Sequence, residues 1–156
     1  MSGKLAADIK QTKPFRHIEE EAFLNLLRTT DALKQGETEF LDSYNLSHAQ
    51  YNVLRILRGA GKDGLPCGEI GARMITRDPD ITRLLDRLEK RGLAQRCRES
   101  KDRRVVTARI APAGLELLAT MEAPLMEMLK GLLGHMSQKD LKTFIELLEK
   151  ARESKG

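Results

Sequence analysis

The spacing of apolar residues predicts long helices at both ends of this chain. Near the N-terminus, an apolar stripe predicts a helix over residues 15–36 that ends at Gly36, followed by a short helix over residues 37–44. Near the C-terminus, the same spacing predicts two further helices, one beginning at Pro112 and the other capped by Ser137. The pattern is therefore typical of a mainly α-helical fold.

Between these helices, turn signals and apolar spacing predict a helix-turn-helix. Ser47 and Gln50 have the spacing of a capping box, which marks the start of a helix that runs through Leu57. A shorter helix is predicted over residues 66–74, with Ile70 facing inward. Two helices in close succession before a third, amphipathic one are the arrangement of a helix-turn-helix.

The third helix of this group has the strongest end signals. Asp78 precedes Pro79 and is predicted to be the N-cap, because a residue before proline is disfavoured in the helical region and Pro suits the first helical position. Gly92 is predicted to end the helix. The apolar side chains at helical spacing, which predict the buried face, are Ile81, Leu84, Leu85 and Leu88. Residues 93–98 and 105–110 then predict a β-hairpin whose tip, residues 99–104, is charged.

Charge is concentrated on the same segment. The formal net charge is +4, and residues 77–104 hold ten Lys or Arg against six Asp or Glu, so this segment carries the whole excess. A basic helix followed by a basic hairpin indicates a protein that binds nucleic acid. Residues 1–14 are polar and are predicted to be a flexible tail. No apolar run approaches the roughly 20 residues of a membrane span, and we predict a cytoplasmic protein.

The exposed face of the third helix predicts DNA contacts. Arg can pair with guanine in the major groove, and Thr can contact a thymine methyl group. For Asp78 and Asp80 two readings stay open, since each can cap the helix or accept a hydrogen bond from cytosine. The hairpin would act as a wing in the minor groove, with Asp102 orienting Arg104. The predicted DNA-binding residues are Arg77, Asp80, Thr82, Arg83, Asp86, Arg87, Arg98, Lys101, Asp102, Arg103 and Arg104.

These motifs resemble the MarR family of bacterial transcription regulators (multiple antibiotic resistance regulators). The residues that carry the resemblance lie in ITRLLDRLEKRGLAQR, in the wing and in the helix that follows it: Thr82, Leu84, Asp86, Leu88, Gly92, Leu93, Asp102, Arg103, Arg104 and Gly114. Two departures concern helix ends. Ile110 and Ala111 replace the family's frequent Leu-Thr, and Pro66 and Cys67 stand where Ser or Thr is common.

The resemblance implies a winged helix-turn-helix domain over residues 15–154. In it, residues 47–111 form the DNA-binding lobe with its β-hairpin wing, and helices over 15–36 and 112–154 form a homodimer. The apolar residues of those terminal helices exceed what a small lobe needs for its own core, which independently favours pairing of two copies. The expected partner is a double-stranded, near-palindromic DNA operator. The expected activity is transcription regulation, most simply repression.

The resemblance also implies a small aromatic or anionic effector bound between the dimer helices and the lobe. Candidate lining residues are His17, Tyr44, His48, Tyr51 and Arg55, and each also has a structural reading as a packing or surface residue. Members of the family that sense oxidants use a cysteine in the first helix, whereas residues 15–35 hold none. Cys67 and Cys97 are read as passive thiols, with a redox role for Cys97 as the alternative.

The sequence offers no phosphate-binding glycine loop, no paired nucleophile and base, and no metal-ligand spacing. We therefore predict no enzyme activity, no catalytic residue, no cofactor and no metal. Two alternatives to a sequence-specific regulator stay open. One is a winged helix that docks a protein, and the other is an architectural protein that binds DNA without sequence preference.

Overall fold

The computed structural model describes residues 3–77, 80–98, 102 and 104–153. Its helices and strands follow in the order α1 Leu5–Asp8, α2 Ile18–Asp42, α3 His48–Ala60, β1 Leu65–Pro66, α4 Cys67–Arg73, α5 Ile81–Lys90, β2 Ala94–Arg98, β3 Val106–Ile110, α6 Pro112–Leu133 and α7 Gln138–Arg152. The described chain is mainly helical with a small sheet, and the predicted winged helix-turn-helix fold is confirmed.

Three antiparallel strands form the sheet in the order β1–β3–β2. Strands β2 and β3 are the arms of the predicted hairpin, and Ala94 lies opposite Ile110 at its base. The sequence does not predict β1, because a strand of two residues is too short to show alternation. In β1, Leu65 lies opposite Ala108, so the strand ties the start of α4 to the hairpin.

Helices α3, α4 and α5 pack with the sheet around one core. The fully buried side chains include Leu54, Leu57, Ile70, Leu85, Leu88 and Met121. Each large side chain of this kind contributes roughly 1.5–3 kcal/mol of burial free energy. Because the leucine face of α5 is fixed in this core, the opposite face of that helix must point outward.

The N-terminal end of α5 differs from the prediction. The helix begins at Ile81, and its N-cap is Asp80, whose side chain accepts a hydrogen bond from the Arg83 backbone N–H. Asp78 and Pro79, where the sequence placed the cap and the first turn, lie outside the described residues. The C-terminal end is as predicted. Gly92 has φ +71°, and Leu93 N–H donates to the Leu88 carbonyl, as in a Schellman motif.

Helix α2 does not end at Gly36, which corrects the predicted break between residues 36 and 37. The helix continues to Asp42. A Cβ atom at residue 36 would lie 2.8 Å from Leu132 Cδ2 on α6, so glycine here gives room for close helix packing rather than a stop. A glycine inside a helix and a glycine after one are not distinguished by local sequence.

The two ends of the chain are packed to different extents. Within the predicted tail, residues Leu5–Asp8 form a helical turn, and Leu5 is buried. Helix α7 buries none of its residues, and α2 buries only Leu41. Phe23 on α2 and Leu147 on α7 are each 60% exposed. The terminal helices therefore present apolar faces that the described part of this chain does not cover.

Candidate DNA-binding surface

The outward face of α5 carries the residues that the sequence singles out. Thr82, Arg83 and Arg87 are exposed, while Leu84 and Leu88 are buried on the opposite side. Asp80 Oδ1 accepts from Arg83 N at 3.0 Å, so this carboxylate serves as the helix cap. Of the two roles considered for Asp80, helix capping and contact with cytosine, the structure therefore supports helix capping.

The loop before α5 is held from α3. The side chain of Asn52, which is buried, accepts a hydrogen bond from Ile75 N at 2.7 Å. Thr76 Oγ1 lies 3.4 Å from His48 Nε2. Arg77 is exposed two residues beyond Ile75. These bonds fix the loop that leads into α5, the expected recognition helix. Sequence analysis did not identify Asn52, because its partner Ile75 is 23 residues away along the chain.

Asp86, predicted to contact DNA, is paired within the protein. Arg96 on β2 donates from its guanidinium to Asp86 Oδ1 and, at 2.7 Å, from Nε to Glu89 Oε2. The hydrogen bonds that Arg96 donates to Glu89 and to Asp86 raise the pKa of Arg96 further above its usual value. Asp86 and Glu89 are three residues apart and share one helix face. Arg96 therefore pairs with two carboxylates on α5, where its single positive charge offsets part of their negative charge, and it ties that helix to the wing.

A second arginine joins α5 to the end of α2. Arg91 donates to the carbonyl oxygens of Tyr44 and Asn45, the latter of which has φ +54°. A cation is favourable at these carbonyls because they lie at the negative end of the α2 dipole. Sequence reasoning missed Arg91 and Arg96 as linking residues. For Arg96, a signal was available in the sequence. Asp86 and Glu89 are three residues apart on one helix, and the strand that follows is basic, which suggests that an arginine of that strand pairs with both carboxylates.

The hairpin forms a wing beside α5. Asp102 Oδ1 accepts from Arg104 N at 3.0 Å, so this contact holds the backbone of Arg104 rather than its guanidinium. Arg104 is exposed, and Arg98 lies at the end of β2 opposite Val106. Lys101 and Arg103, also predicted to contact DNA, lie outside the described residues.

A cleft of about 290 Å³ lies between α2, α3, α6 and the loop before α5. Its polar lining comes mainly from Lys34, Glu37, His48 and Thr76, and its remaining walls are mostly apolar. His48 Nδ1 lies 2.6 Å from Glu37 Oε1. This cleft has the position expected for an effector, between the terminal helices and the lobe.

Of the five predicted effector residues, His48 alone lines this cleft. His17 is the exposed residue before α2. Tyr44 packs on Phe40 with ring centroids 5.2 Å apart. Burial raises the pKa of Tyr51, which is half-buried in the lobe, and Arg55 lines a separate hollow on α3. The structure therefore does not bring the predicted lining together.

The described residues contain no group of three or more His, Cys, Asp or Glu side chains placed to hold a metal ion. Over the same residues, no helix is long and apolar enough to cross a membrane. Both cysteines are free thiols. Cys97 is exposed, and burial raises the pKa of Cys67.

Comparison with known proteins gives a consistent result. A family model of the MarR family matches residues 46–106. The crystal structure of a MarR transcription factor from Planctomyces limnophilus is 40% identical. It aligns over 87% of this chain and 98% of that chain with a TM-score of 0.70.

More distant relatives also align along most of the chain. The HTH-type transcriptional regulator PrsX from Escherichia coli is 26% identical over 142 residues, which are 90% of this chain and 86% of PrsX. BpsR from Bordetella bronchiseptica, whose DNA binding is regulated by 6-hydroxynicotinic acid, is 20% identical with a TM-score of 0.78, over 92% of this chain and all of that chain.

Proposed function

The chain belongs to the MarR family and is a DNA-binding transcription regulator, and from this premise we propose that it is a cytoplasmic, homodimeric repressor. Its target would be a near-palindromic operator, and a small aromatic or anionic ligand would release it. The observation that carries this proposal is the exposed face of α5, where Thr82, Arg83 and Arg87 point away from a buried leucine face.

This face suits the major groove. The N-terminal half of a recognition helix contacts base edges, where Arg recognises guanine through two hydrogen bonds. The adjacent wing presents Arg104, which is attracted by the negative potential of a narrow minor groove. Because Arg96 binds the carboxylates of Asp86 and Glu89, the recognition helix offers DNA a surface with less unpaired negative charge.

The uncovered terminal helices support a dimer. Helix α7 buries no residue, and its Ile145 and Leu147 are more than half exposed, as is Phe23 on α2. Pairing two copies through these helices would remove this apolar surface from water. A two-fold dimer would place two α5 helices on half-sites about one turn of DNA apart, roughly 34–36 Å.

The cleft between α2 and the lobe supports a ligand that acts on DNA binding. Apolar walls with a few polar groups suit a small aromatic molecule, and Lys34 can pair with its anionic group. Ile75 and Thr76, which line the cleft, belong to the loop before α5. A ligand seated there would therefore contact the segment that positions the recognition helix. The regulation of BpsR by 6-hydroxynicotinic acid is a parallel for a ligand of this class.

Selection of bound sequences from random DNA by the purified protein tests the proposal. We expect enrichment of an inverted repeat whose half-site centres lie about one helical turn apart, bound by two copies of the chain. Equal affinity for selected and random duplexes would instead indicate an architectural protein. A strictly monomeric protein that selects single half-sites would contradict the dimer.

The ligand is tested separately with the selected duplex. We expect phenolic carboxylates, added to the complex at fixed ionic strength, to weaken DNA binding by the wild-type protein. The Lys34→Met variant should bind the same duplex but respond less to the added anion, because the cation that pairs with the anionic group is missing. A panel of aromatic acids that leaves the wild-type affinity unchanged would contradict a site for this ligand class.

A further inference from the structure

Three arginines border one hollow outside the recognition helix and the wing. This hollow, of about 480 Å³, lies on α3 and the end of α4. We call it the arginine hollow, and it is lined by Asn52, Arg55, Ile56, Arg58, Gly59, Arg73 and Ile75. None of these lining residues is acidic.

The helices direct the three arginines toward the same place. Arg55 and Arg58 are three residues apart on α3 and therefore share a helix face. Arg73 lies in the last turn of α4, which packs beside α3. The charges of Arg55 and Arg58 both act on the phenol of Tyr51, where they oppose the effect of burial on its pKa. The arrangement thus gathers positive charge in one concave surface.

No salt bridge within the described part of the chain pairs a carboxylate with these arginines, although the charge of Glu37 also acts on Tyr51. The ion pairs there join His48 to Glu37 and Arg96 to Asp86 and Glu89, and none includes an arginine of the hollow. Like charges held close together repel each other, and an anion between them relieves that repulsion. The hollow is therefore suited to a group with several anionic oxygen atoms.

The place of the hollow in the fold identifies the anion. Ile75 is two residues before Arg77 and six before the first residue of α5. When the second helix of a helix-turn-helix enters the major groove, the helix before it crosses the DNA backbone. Helix α4, which ends at Arg73, is that preceding helix. The arginine hollow thus lies beside the path that the backbone would follow next to the groove.

We propose that the arginine hollow binds a backbone phosphate of the operator, flanking the groove that α5 enters. This inference rests on the proposed function, because it takes operator DNA as the ligand. A free small anion fits less well. A small-molecule site encloses most of its ligand, whereas Arg55, Arg58 and Arg73 are all exposed around an open hollow. A phosphate that belongs to DNA does not need such enclosure, because the rest of the protein–DNA interface holds it at the hollow.

The test compares the salt dependence of DNA binding in matched variants of the full chain. The hollow variant carries Arg55→Gln, Arg58→Gln and Arg73→Gln. The control variant carries Lys4→Gln, Lys10→Gln and Lys13→Gln, which remove the same charge from exposed positions outside the lobe and the predicted dimer helices. The probe is a duplex selected from random DNA, with at least ten flanking base pairs on each side.

For the hollow variant, we expect the slope of log affinity against log salt to become shallower by about 0.9 for each phosphate that the protein no longer neutralises. The ratio of operator to random-DNA affinity should change little, since phosphate contacts carry no base information. The control variant should keep the wild-type slope. A third variant, with lysine at the three hollow positions, should keep most of the slope because it retains the charge.

Replacing single phosphates of the duplex by neutral methylphosphonates gives a second measurement that does not depend on the Gln variant folding. In wild-type protein, one flanking position outside the base contacts should weaken binding. In the lysine variant that position should still matter, and in a folded Gln variant it should not. If no flanking phosphate matters, or if the hollow and control variants have equal slopes, the arginine hollow does not bind the backbone.

The two proposals fail in different ways. Wild-type protein that binds no DNA would refute the proposed function and, with it, this inference. Wild-type protein that binds its selected duplex while the hollow variant keeps the wild-type slope would refute only the inference. Saturable binding of inorganic phosphate that needs the three arginines, combined with an unchanged slope, would assign the hollow to a free anion and contradict the DNA contact.

Discussion

Arg96 Nε on strand β2 donates to Glu89 Oε2 on helix α5 at 2.7 Å, and the same guanidinium also binds Asp86. The three side chains join the base of the wing to the recognition helix. Without Arg96, two carboxylates would stand unpaired on α5, the helix that we propose to lie against DNA. We therefore regard Arg96 as a positioning residue, which acts on DNA through the helix and the charges that it holds.

We expect Arg96→Gln to lower operator affinity about tenfold, which corresponds to about 1.4 kcal/mol. The free energy of unfolding should fall by less than about 1 kcal/mol, because the side chains are 26% and 42% exposed and solvent screens the ion pair. Fluorescence anisotropy with a labelled duplex measures the first quantity, and urea denaturation measures the second. A decrease confined to stability would contradict a role in DNA binding.

A charge-matched control distinguishes the loss of pairing with Asp86 and Glu89 from the loss of one positive charge on the protein. Arg109→Gln removes an exposed arginine from the neighbouring strand β3, and we expect a smaller effect on affinity. Adding Asp86→Asn and Glu89→Gln to Arg96→Gln should recover affinity, since no unpaired carboxylate remains at these two positions. If this triple variant binds as weakly as Arg96→Gln alone, charge neutralisation is not the role of Arg96.

Arg104→Ala should cost about 1–3 kcal/mol of specific binding if its guanidinium enters the minor groove. The effect should be largest on operators with A·T-rich flanks, where the groove is narrow. Asp102→Ala should weaken binding less, because Asp102 Oδ1 holds only the backbone N–H of Arg104. Affinities at one fixed salt concentration decide the matter, and an unchanged value for Arg104→Ala would refute the minor-groove contact.

Much of the lobe follows from local signals that the sequence displays. The capping box of Ser47 and Gln50 is present, with Gln50 N donating to Ser47 Oγ at 3.1 Å. Gly92 takes the positive φ that ends α5. Each of these features depends on residues only a few positions apart. The helix-turn-helix, the hairpin and the outward face of α5 could therefore be predicted from the order of the residues alone.

The features that the sequence did not predict depend on residues distant along the chain. Gly36 has the local appearance of a helix stop, and its close contact with Leu132 on α6, which gives a packing reason for a glycine inside the helix, cannot be seen from the neighbouring residues. Asp86 was predicted to contact DNA because it lies on the exposed face of α5. Its partner Arg96 belongs to another element, so their ion pair is not visible in the local sequence. The effector cleft combines α2, α3 and α6, so single residues such as Tyr51 and Arg55 could not be assigned to it from spacing alone.

Two glycines of helix α6 should respond in opposite directions to the same substitution. A Cβ atom at Gly114 would lie 2.4 Å from the Leu93 carbonyl oxygen and 2.7 Å from Ile110 Cγ1. The contact involves backbone, so we expect Gly114→Ala to lower the free energy of unfolding by about 1–3 kcal/mol. At Gly131, a Cβ atom would meet nothing within 4 Å, and alanine should stabilise the helix by about 0.5–1 kcal/mol.

Urea midpoints of the two variants, measured at one protein concentration, check this pair. Because Gly131 shares its helix with Gly114, the comparison cancels the intrinsic preference of the helix for alanine. Equal stabilisation by both substitutions would mean that the contact of residue 114 with the Leu93 carbonyl does not limit packing at the base of the wing.

The two thiols should differ in reactivity because their surroundings differ. Burial raises the pKa of Cys67, although the charge of Arg96 opposes this, and Cys97 is exposed on β2. Since the thiolate is the reactive form, we expect a disulfide reagent at pH 8 to modify Cys97 before Cys67. The single variants Cys97→Ser and Cys67→Ser assign the fast and slow phases, and a faster reaction at Cys67 would contradict the effect of burial.

The raised pKa of Cys67 also fixes the sign of its contribution to stability. The folded chain keeps the thiol proton at pH values where the unfolded chain loses it, so the folded state binds more protons and unfolding becomes easier as pH rises. We expect the free energy of unfolding to decrease through the ordinary thiol range, about pH 8.5 and above. Cys67→Ser should show a smaller decrease over the same range, because serine does not titrate there. Equal pH dependence in the two proteins would show that the titration of Cys67 is not linked to folding.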